Sequence, residues 1–410
     1  MRIFKGSALA ALGALGIAMP AGTALAATID VPADQPSIQL AIDAAAAGDE
    51  VVVAPGVYRE NINFKGKAIT VHSAAGPAVT VIDGRQLGSV VVFITGEGQG
   101  SVLRGFTLRN GSASSSGGGG IRIVSASPRI LNNIVTGNTA CASGTGIYVQ
   151  FGSPLILGNT ITDNTTGCSG GSGGGITLQG SGSAQIVNNT IRNNRNSFGG
   201  GIGLNSAGTP VIRNNVIAGN TATSRGGGIE MVNSSNALIV QNLITGNTAP
   251  EGGGVAWGVP SGQRGPRLVN NTIADNNATT QGRGSAIYAG GFDKDVDLVN
   301  NVLVGRTGQT VVHCDGTNDP NPPRFKNNDV YTASGTLYGG ICTNQTGTNG
   351  NLSADPLLSA DFLPQAGSPC IDQGDSAAAD IPLTDLKGKA RVLDGNGDGS
   401  TVIDLGVGEG

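Results

Sequence analysis

Four charged residues of this 410-residue chain recur at matched places in a repeated pattern. Arg225, Glu251 and Arg283 each stand four residues before an Ile or Val, at Ile229, Val255 and Ile287, and Phe198 holds the same place before Ile202. Glu230 and Tyr288 stand one residue after that aliphatic position, as do Tyr148 and Arg122 in earlier copies. If copies stack about 4.8 Å apart as neighbouring strands do, Arg225, Glu230, Glu251 and Arg283 gather on one patch of surface. Arg grips a carboxylate through two parallel hydrogen bonds. A carboxylate one layer away can take a proton or orient that Arg. The four are therefore candidate catalytic residues for an acidic sugar, with Tyr148 and Tyr288 as binding aromatics. The plainer reading of the same residues is a surface ion-pair ladder, worth about 0–1 kcal/mol per pair. Trp257 falls in the inward column of Leu178, Leu204 and Met231 and is expected in the core.

A second constellation lies near the end of the chain. Asp394, Asn396 and Asp398, followed by Gly399, match the start of a calcium loop. The acid expected at position 12 is replaced by Leu405, and Asp404 falls one short. Calcium is thus the one cofactor to consider, with an Asp/Gly turn as the alternative. Asp163 and Asp275 share a column but are four copies apart, too far to hold one ion. His72 and His313 are the only histidines, in different regions, and each is read as structural. No Ser/His/Asp set, phosphate loop or zinc spacing appears.

The residues are positioned by a repeat. Asn133, Asn159, Asn189, Asn215, Asn242, Asn271 and Asn301 recur at intervals of 26, 30, 26, 27, 29 and 30 residues. Three residues before each Asn, and two residues after it, the chain is always aliphatic. Five residues after, six copies carry another Asn, from Asn138 to Asn276. Gly-Gly-Gly precedes Ile121, Ile176, Ile202, Ile229 and Val255. Short β-branched runs broken by Asn and Gly are the signal for strands and turns, and a fixed period of this length means a solenoid. One period per layer makes a parallel β-helix. Asn suits its corners because it tolerates left-handed backbone and its amide can bond the next layer. About eleven layers give a rod of roughly 50 Å.

Residues 1–26 read as a signal peptide: Arg2 and Lys5, an apolar run over Ala8 to Ala18, then Ala24-Leu25-Ala26 as the cleavage site. Residues 27–50 form an N-terminal cap. Within it Ile38, Ala41, Ile42 and Ala45 share one helical face, and Gly48 is placed to end the helix. The β-helix spans 51–345, and 346–410 is a turn-rich closing segment. Net charge is −4, or −6 once Arg2 and Lys5 are removed, which argues against nucleic acid and anionic lipid as partners. No stretch of the mature chain is long and apolar enough to span a membrane. Of five cysteines, Cys141 and Cys168 fall at near-equivalent sites in successive coils, within disulfide reach. Cys314 and Cys342 can pair likewise, leaving Cys370.

The interleaved Gly-Gly-Gly-Ile and Ile-x-x-Asn motifs resemble those of right-handed parallel β-helix proteins of the pectin-lyase-like superfamily. They are nearest to exported bacterial surface proteins with polymorphic outer-membrane protein type repeats. Val53-Ala54-Pro55-Gly56-Val57-Tyr58 is similar to the capped first coil of that superfamily. Gly367-Ser368-Pro369-Cys370-Ile371-Asp372 looks like its closing segment. The resemblance implies an all-β, right-handed solenoid with a short capping helix, exported to the periplasm, the cell surface or beyond. It also implies a polysaccharide or cell-surface glycan as partner. The expected function is a carbohydrate-binding or adhesive surface scaffold, and the alternative is a polysaccharide lyase acting on a uronic-acid polymer.

Overall fold

A computed structural model describes residues 26–114, 117–141, 143–168, 171–259, 265–291 and 296–410. The signal-peptide reading, all but Ala26, lies outside the described residues. The chain winds into a three-faced parallel β-solenoid. The first sheet has twelve strands, from Thr28–Val31 to Arg324–Lys326, and the third has eleven, from Ile62–Asn63 to Gly335–Gly340. The second sheet has seventeen short strands. Most coils give it two, as Val216–Ala218 and Thr221–Arg225 show.

The aliphatic columns stack in register. Ile186, Ile212, Ile239 and Leu268 are successive partners in the first sheet. Ile191, Ile217, Ile244 and Ile273 do the same in the second, and Ile202, Ile229, Val255 and Ile287 in the third. All are fully buried in one continuous core. A one-residue slip would turn every such column to solvent, so the register is strongly specified.

The corner asparagines divide two tasks between neighbours. The first Asn of each pair takes left-handed backbone, with φ of 54° at Asn188, 57° at Asn214 and 52° at Asn270. The second builds the ladder. The Asn215 side-chain oxygen accepts from the Asn189 backbone and side chain at 2.9 and 3.0 Å, while its Nδ2 donates to Ile186 and Arg213 carbonyls and to Asn242 Oδ1. This ladder runs to Asn351. A second ladder runs from Asn138 through Asn164, Asn194, Asn220 and Asn247 to Asn276. Asp163 and Asp275 occupy left-handed corner positions of the same kind. The Gly-Gly-Gly run is a contact requirement. A Cβ on Gly201 would stand 2.6 Å from the Gly228 carbonyl oxygen, so only glycine lets these layers close.

The capping helix spans Ile38–Ala44 and buries Ile38, Ala41 and Ile42. Ser37 caps its start, and the Glu60 carboxylate accepts from Ile38 and Gln39 N–H groups. It ends before Gly48, where Ala45 turns to extended backbone, and Lys67 donates to the carbonyls of Ile42, Asp43 and Ala45 at its last turn. The cap also contributes the first strand, Thr28–Val31, which pairs with Glu50–Val53. Disulfides join Cys141 to Cys168 and Cys314 to Cys342, and Cys370 is a buried thiol.

The closing segment differs from a terminal cap. It doubles back along the corner between the first and second sheets. Asp375 pairs with Lys326 and accepts from Asn300 through its carbonyl. Asp380 pairs with Arg267, and the Thr384 carbonyl accepts from Gln241. The corner side chains freed by left-handed backbone thus serve as anchors for the returning strap. Among the described residues no helix is long and apolar enough to cross a membrane.

Candidate functional site

The register of the third sheet aligns Arg122, Tyr148, Thr177, Gly203, Glu230, Ala256, Tyr288 and His313 in one row on the face away from the core. Arg225 bridges to Glu251 in the next coil, and the Arg283 carbonyl accepts from Gly252 in the coil after. The four charged residues picked out by their spacing are therefore brought together.

They form two groups. In the first, Arg225 Nη2 donates to Glu230 Oε1 at 2.8 Å, with Glu230 only 2% exposed. Its other oxygen, Oε2, is buried with no hydrogen-bond partner among the described residues. Burial outweighs the attraction of Arg225 and pushes the Glu230 carboxyl up to about 7. A cavity of about 190 Å³ opens beside it, lined by Phe198, Leu204, Arg225, Glu230 and Val232.

In the second group Arg283 stands at 3.6 Å from both Glu251 and Asp315 and donates to the Tyr288 hydroxyl at 3.4 Å. Its guanidinium lies 5.8 Å from the centre of the Tyr288 ring. Tyr288 donates to Asp315 at 2.6 Å, and the His313 ring stacks on Tyr288 at 5.5 Å with an 8° tilt. Hydrogen bonds from Thr317 and Tyr288 hold the Asp315 carboxyl down to about 2. Burial and the Asp315 acceptor push the Tyr288 phenol well above its ordinary value, so at neutral pH it is a donor and not a base. Burial, with Arg283 nearby, lowers the His313 imidazole below its ordinary value.

One expectation needs correction. Tyr148 and Tyr288 are not open stacking platforms. They are 6% and 4% exposed, and their hydroxyls are held by Gln179 and Asp315. Each arginine faces a carboxylate, Arg225 the Glu230 group and Arg283 both Glu251 and Asp315, as a ladder of ion pairs would have it. Spacing did not pick out Asp315, nor His313 as a neighbour of the four, and both belong to the second group. Their coil lacks the Gly-Gly-Gly signature, carrying Gln309-Thr310-Val311 before Val312, so spacing could not place them in the row. Trp257 lies inward as expected, fully buried between Met231 and Ala289.

In the tail constellation the side-chain oxygens of Asp394, Asn396 and Asp404 accept from the protein's own N–H groups. Asp394 accepts from the N–H groups of Gly397, Asp398 and Gly399, and Asn396 Oδ1 accepts from Asp398. Asp404 is buried and accepts from Asp372 and Gly410 instead. Among the described residues no three His, Cys, Asp or Glu side chains are arranged to hold a metal ion.

A family model described as the right handed beta helix region matches residues 90–273 and 169–353. Among solved structures the chain is similar to the crystal structure of pectate lyase Pel9A, with a TM-score of 0.57 and 16% identity over 95% of this chain and 97% of that one. A PL6 family alginate lyase, AlyGC, gives 0.42 and 16% over 88% of this chain and 60% of that one. The A-module of the Azotobacter vinelandii mannuronan C-5 epimerase AlgE6 gives 0.31 and 16% over 78% and 94%. No curated protein matches. Likeness at this identity speaks for the fold.

Proposed function

From the premise that the chain belongs to the right-handed β-helix family of the pectin-lyase-like superfamily, we propose that it is an exported protein that binds a polysaccharide or cell-surface glycan along the outer face of its third sheet. The observation that carries this reading is the row itself. Over four layers the buried Glu230 and Tyr288 and the stacked His313 carry the partly exposed Arg225, Glu251, Arg283 and Asp315 at their edge. Planar guanidinium and imidazole groups alternate there with carboxylates, which supplies both donors and acceptors for sugar hydroxyls. The fold of a pectate lyase agrees with a polymeric ligand laid along the solenoid. The two disulfides fit an oxidising compartment outside the cytoplasm. A scaffold of this kind holds its polymer, or a host surface bearing it, without changing it.

The second reading is a polysaccharide lyase, and Glu230 is the observation that favours it. A carboxyl titrating near neutrality, with one unpartnered oxygen beside a cavity and an arginine, has the features of a general base. It would take the C5 proton of a uronate whose carboxylate faces Arg225. The electron pair left at C5 forms the C4–C5 double bond as the C4–O bond breaks, and the departing glycosidic oxygen keeps that bond's electron pair and takes a proton from water to leave as a hydroxyl.

The test uses the purified mature protein on polygalacturonate, alginate and neutral glycans, with and without added calcium. Retention on a polymer with no new ultraviolet absorbance supports the scaffold. Growth of absorbance from unsaturated uronate ends supports the lyase. Neither retention nor absorbance on any polymer would reject both readings.

A further inference from the structure

Phe151 is the outlier of its corner. The equivalent positions in other coils carry Ser125, Gly180, Ser206 and Asn233, all with left-handed backbone, and Phe151 shares it with φ of 52°. A bulky residue is disfavoured there and persists where something compensates. Nothing apolar buries it, for Phe151 remains 55% exposed. Its ring lies over Gly180 of the next coil, where no side chain could stand.

A stripe of amides starts beside it. Gln150, Gln179, Asn205 and Val232 are successive partners in the third sheet, on the face away from the core. The Gln150 side chain makes no hydrogen bond among the described residues, and its backbone carbonyl accepts from the Ser125 N–H. Gln179 uses its oxygen to accept from Tyr148, and Asn205 uses its oxygen to accept from Asn233, which leaves both NH₂ groups free to donate outward. The stripe ends at Val232, which lines the cavity beside Glu230. Three layers separate Gln150 from Val232, roughly 14 Å along the solenoid axis.

We propose that Phe151 is a remote sugar-stacking subsite. One ring of a glycan lies on Phe151, the following rings bond to the amides of Gln150, Gln179 and Asn205, and the chain enters the cavity at Arg225 and Glu230. This rests on the polysaccharide reading above and adds the direction and length of the ligand. An aromatic face against the C–H face of a sugar adds apolar contact without demanding a particular hydroxyl pattern, while unpaired amides one layer apart supply the polar contacts.

The test is affinity against chain length, using disaccharides and long oligomers of galacturonate, alginate and a neutral glucan. Phe151→Asn removes the ring and keeps a residue at ease in left-handed backbone, so folding is preserved. Phe151→Trp keeps an aromatic face. Wild type should gain affinity from disaccharide to long oligomer, Phe151→Asn should lose about ten-fold of that gain, and Phe151→Trp should retain it. If Phe151→Asn binds long oligomers like wild type while Arg225→Ala does not, the subsite is overturned and the polysaccharide reading stands. If wild type binds none of these sugars, both fall. If Phe151→Asn instead converts an oligomer to a monomer, the ring is a protein interface and the subsite is overturned.

Discussion

Arg225 and Glu230 are joined at 2.8 Å, yet one partner is 27% exposed and the other 2%. The pair is lopsided, because the cation keeps much of its water and the carboxylate has lost nearly all of it. That is why Glu230 titrates near 7 in spite of its arginine. A carboxyl raised in the folded state from 4.5 favours folding in its protonated form. Its contribution is complete below about pH 4.5, falls as pH rises through 7, and is flat above. The swing is on the order of 3 kcal/mol. The difference in melting temperature between wild type and Glu230→Gln, scanned from pH 4 to 8, should therefore shrink or reverse across that window. A constant difference would show that Glu230 is not titrating there.

The division of labour at the corners makes two adjacent substitutions behave differently. Asn215→Leu removes a fully buried group with partners in both neighbouring layers and should cost about 1–3 kcal/mol. Asn214→Gly replaces a left-handed residue by the one that adopts this conformation most freely, and should cost less than about 1 kcal/mol. Chemical denaturation measures both. Equal losses would contradict the assignment of ladder to one Asn and backbone to the other.

Much of this was legible before any coordinates. The Ile and Val columns, the second-Asn ladder and the Cys141–Cys168 and Cys314–Cys342 pairs follow from spacing, because each coil repeats one layer and a residue's neighbours are fixed by the period. The strap was not legible. Its contacts, such as Asp380 with Arg267, join positions 113 residues apart with no period to align them. His313 and Asp315 were missed for a related reason: their coil breaks the glycine signature that set the register. Burial of Tyr288 was also hidden, since alternation tells which face a side chain leaves and not what covers it.

Peptide mapping without reduction should recover both disulfide links and a single thiol at Cys370. That thiol donates to Asp329 at 3.5 Å, and burial pushes its pKa well above the ordinary thiol range. It should resist alkylation in the native protein and react on unfolding. Rapid native alkylation of Cys370 would mean the strap opens on the timescale of the reagent.

Trp257 tests the inward column. Its side chain is fully buried between Met231 and Ala289, on the face of the strand opposite Glu230. Trp257→Ala should cost about 3–5 kcal/mol of stability while leaving glycan affinity per folded molecule unchanged. A large loss of affinity at unchanged melting temperature would place the ring outside.

The charged cluster decides between a site and a ladder. Arg225→Ala removes the cation bonded to Glu230, but Glu230 can answer by taking up a proton near neutral pH, so the fold should survive. Glu251→Ala removes one of the two carboxylates facing Arg283 and leaves Asp315 to hold it. Both variants should melt within a few degrees of wild type. If the outer face of the third sheet binds glycan, each should nonetheless abolish retention on the polymer, or turnover of it, because each removes a planar hydrogen-bonding group from the row. Asp315→Asn should act on the same readout by a different route. It weakens the acceptor that fixes the Tyr288 hydroxyl and lets the stacked Tyr288 and His313 rings shift. Binding measured on folded, monodisperse protein separates these effects from stability. Full affinity in Arg225→Ala and Glu251→Ala, for every polymer that wild type retains, would reduce the cluster to a surface ion-pair ladder and move the site elsewhere on the solenoid.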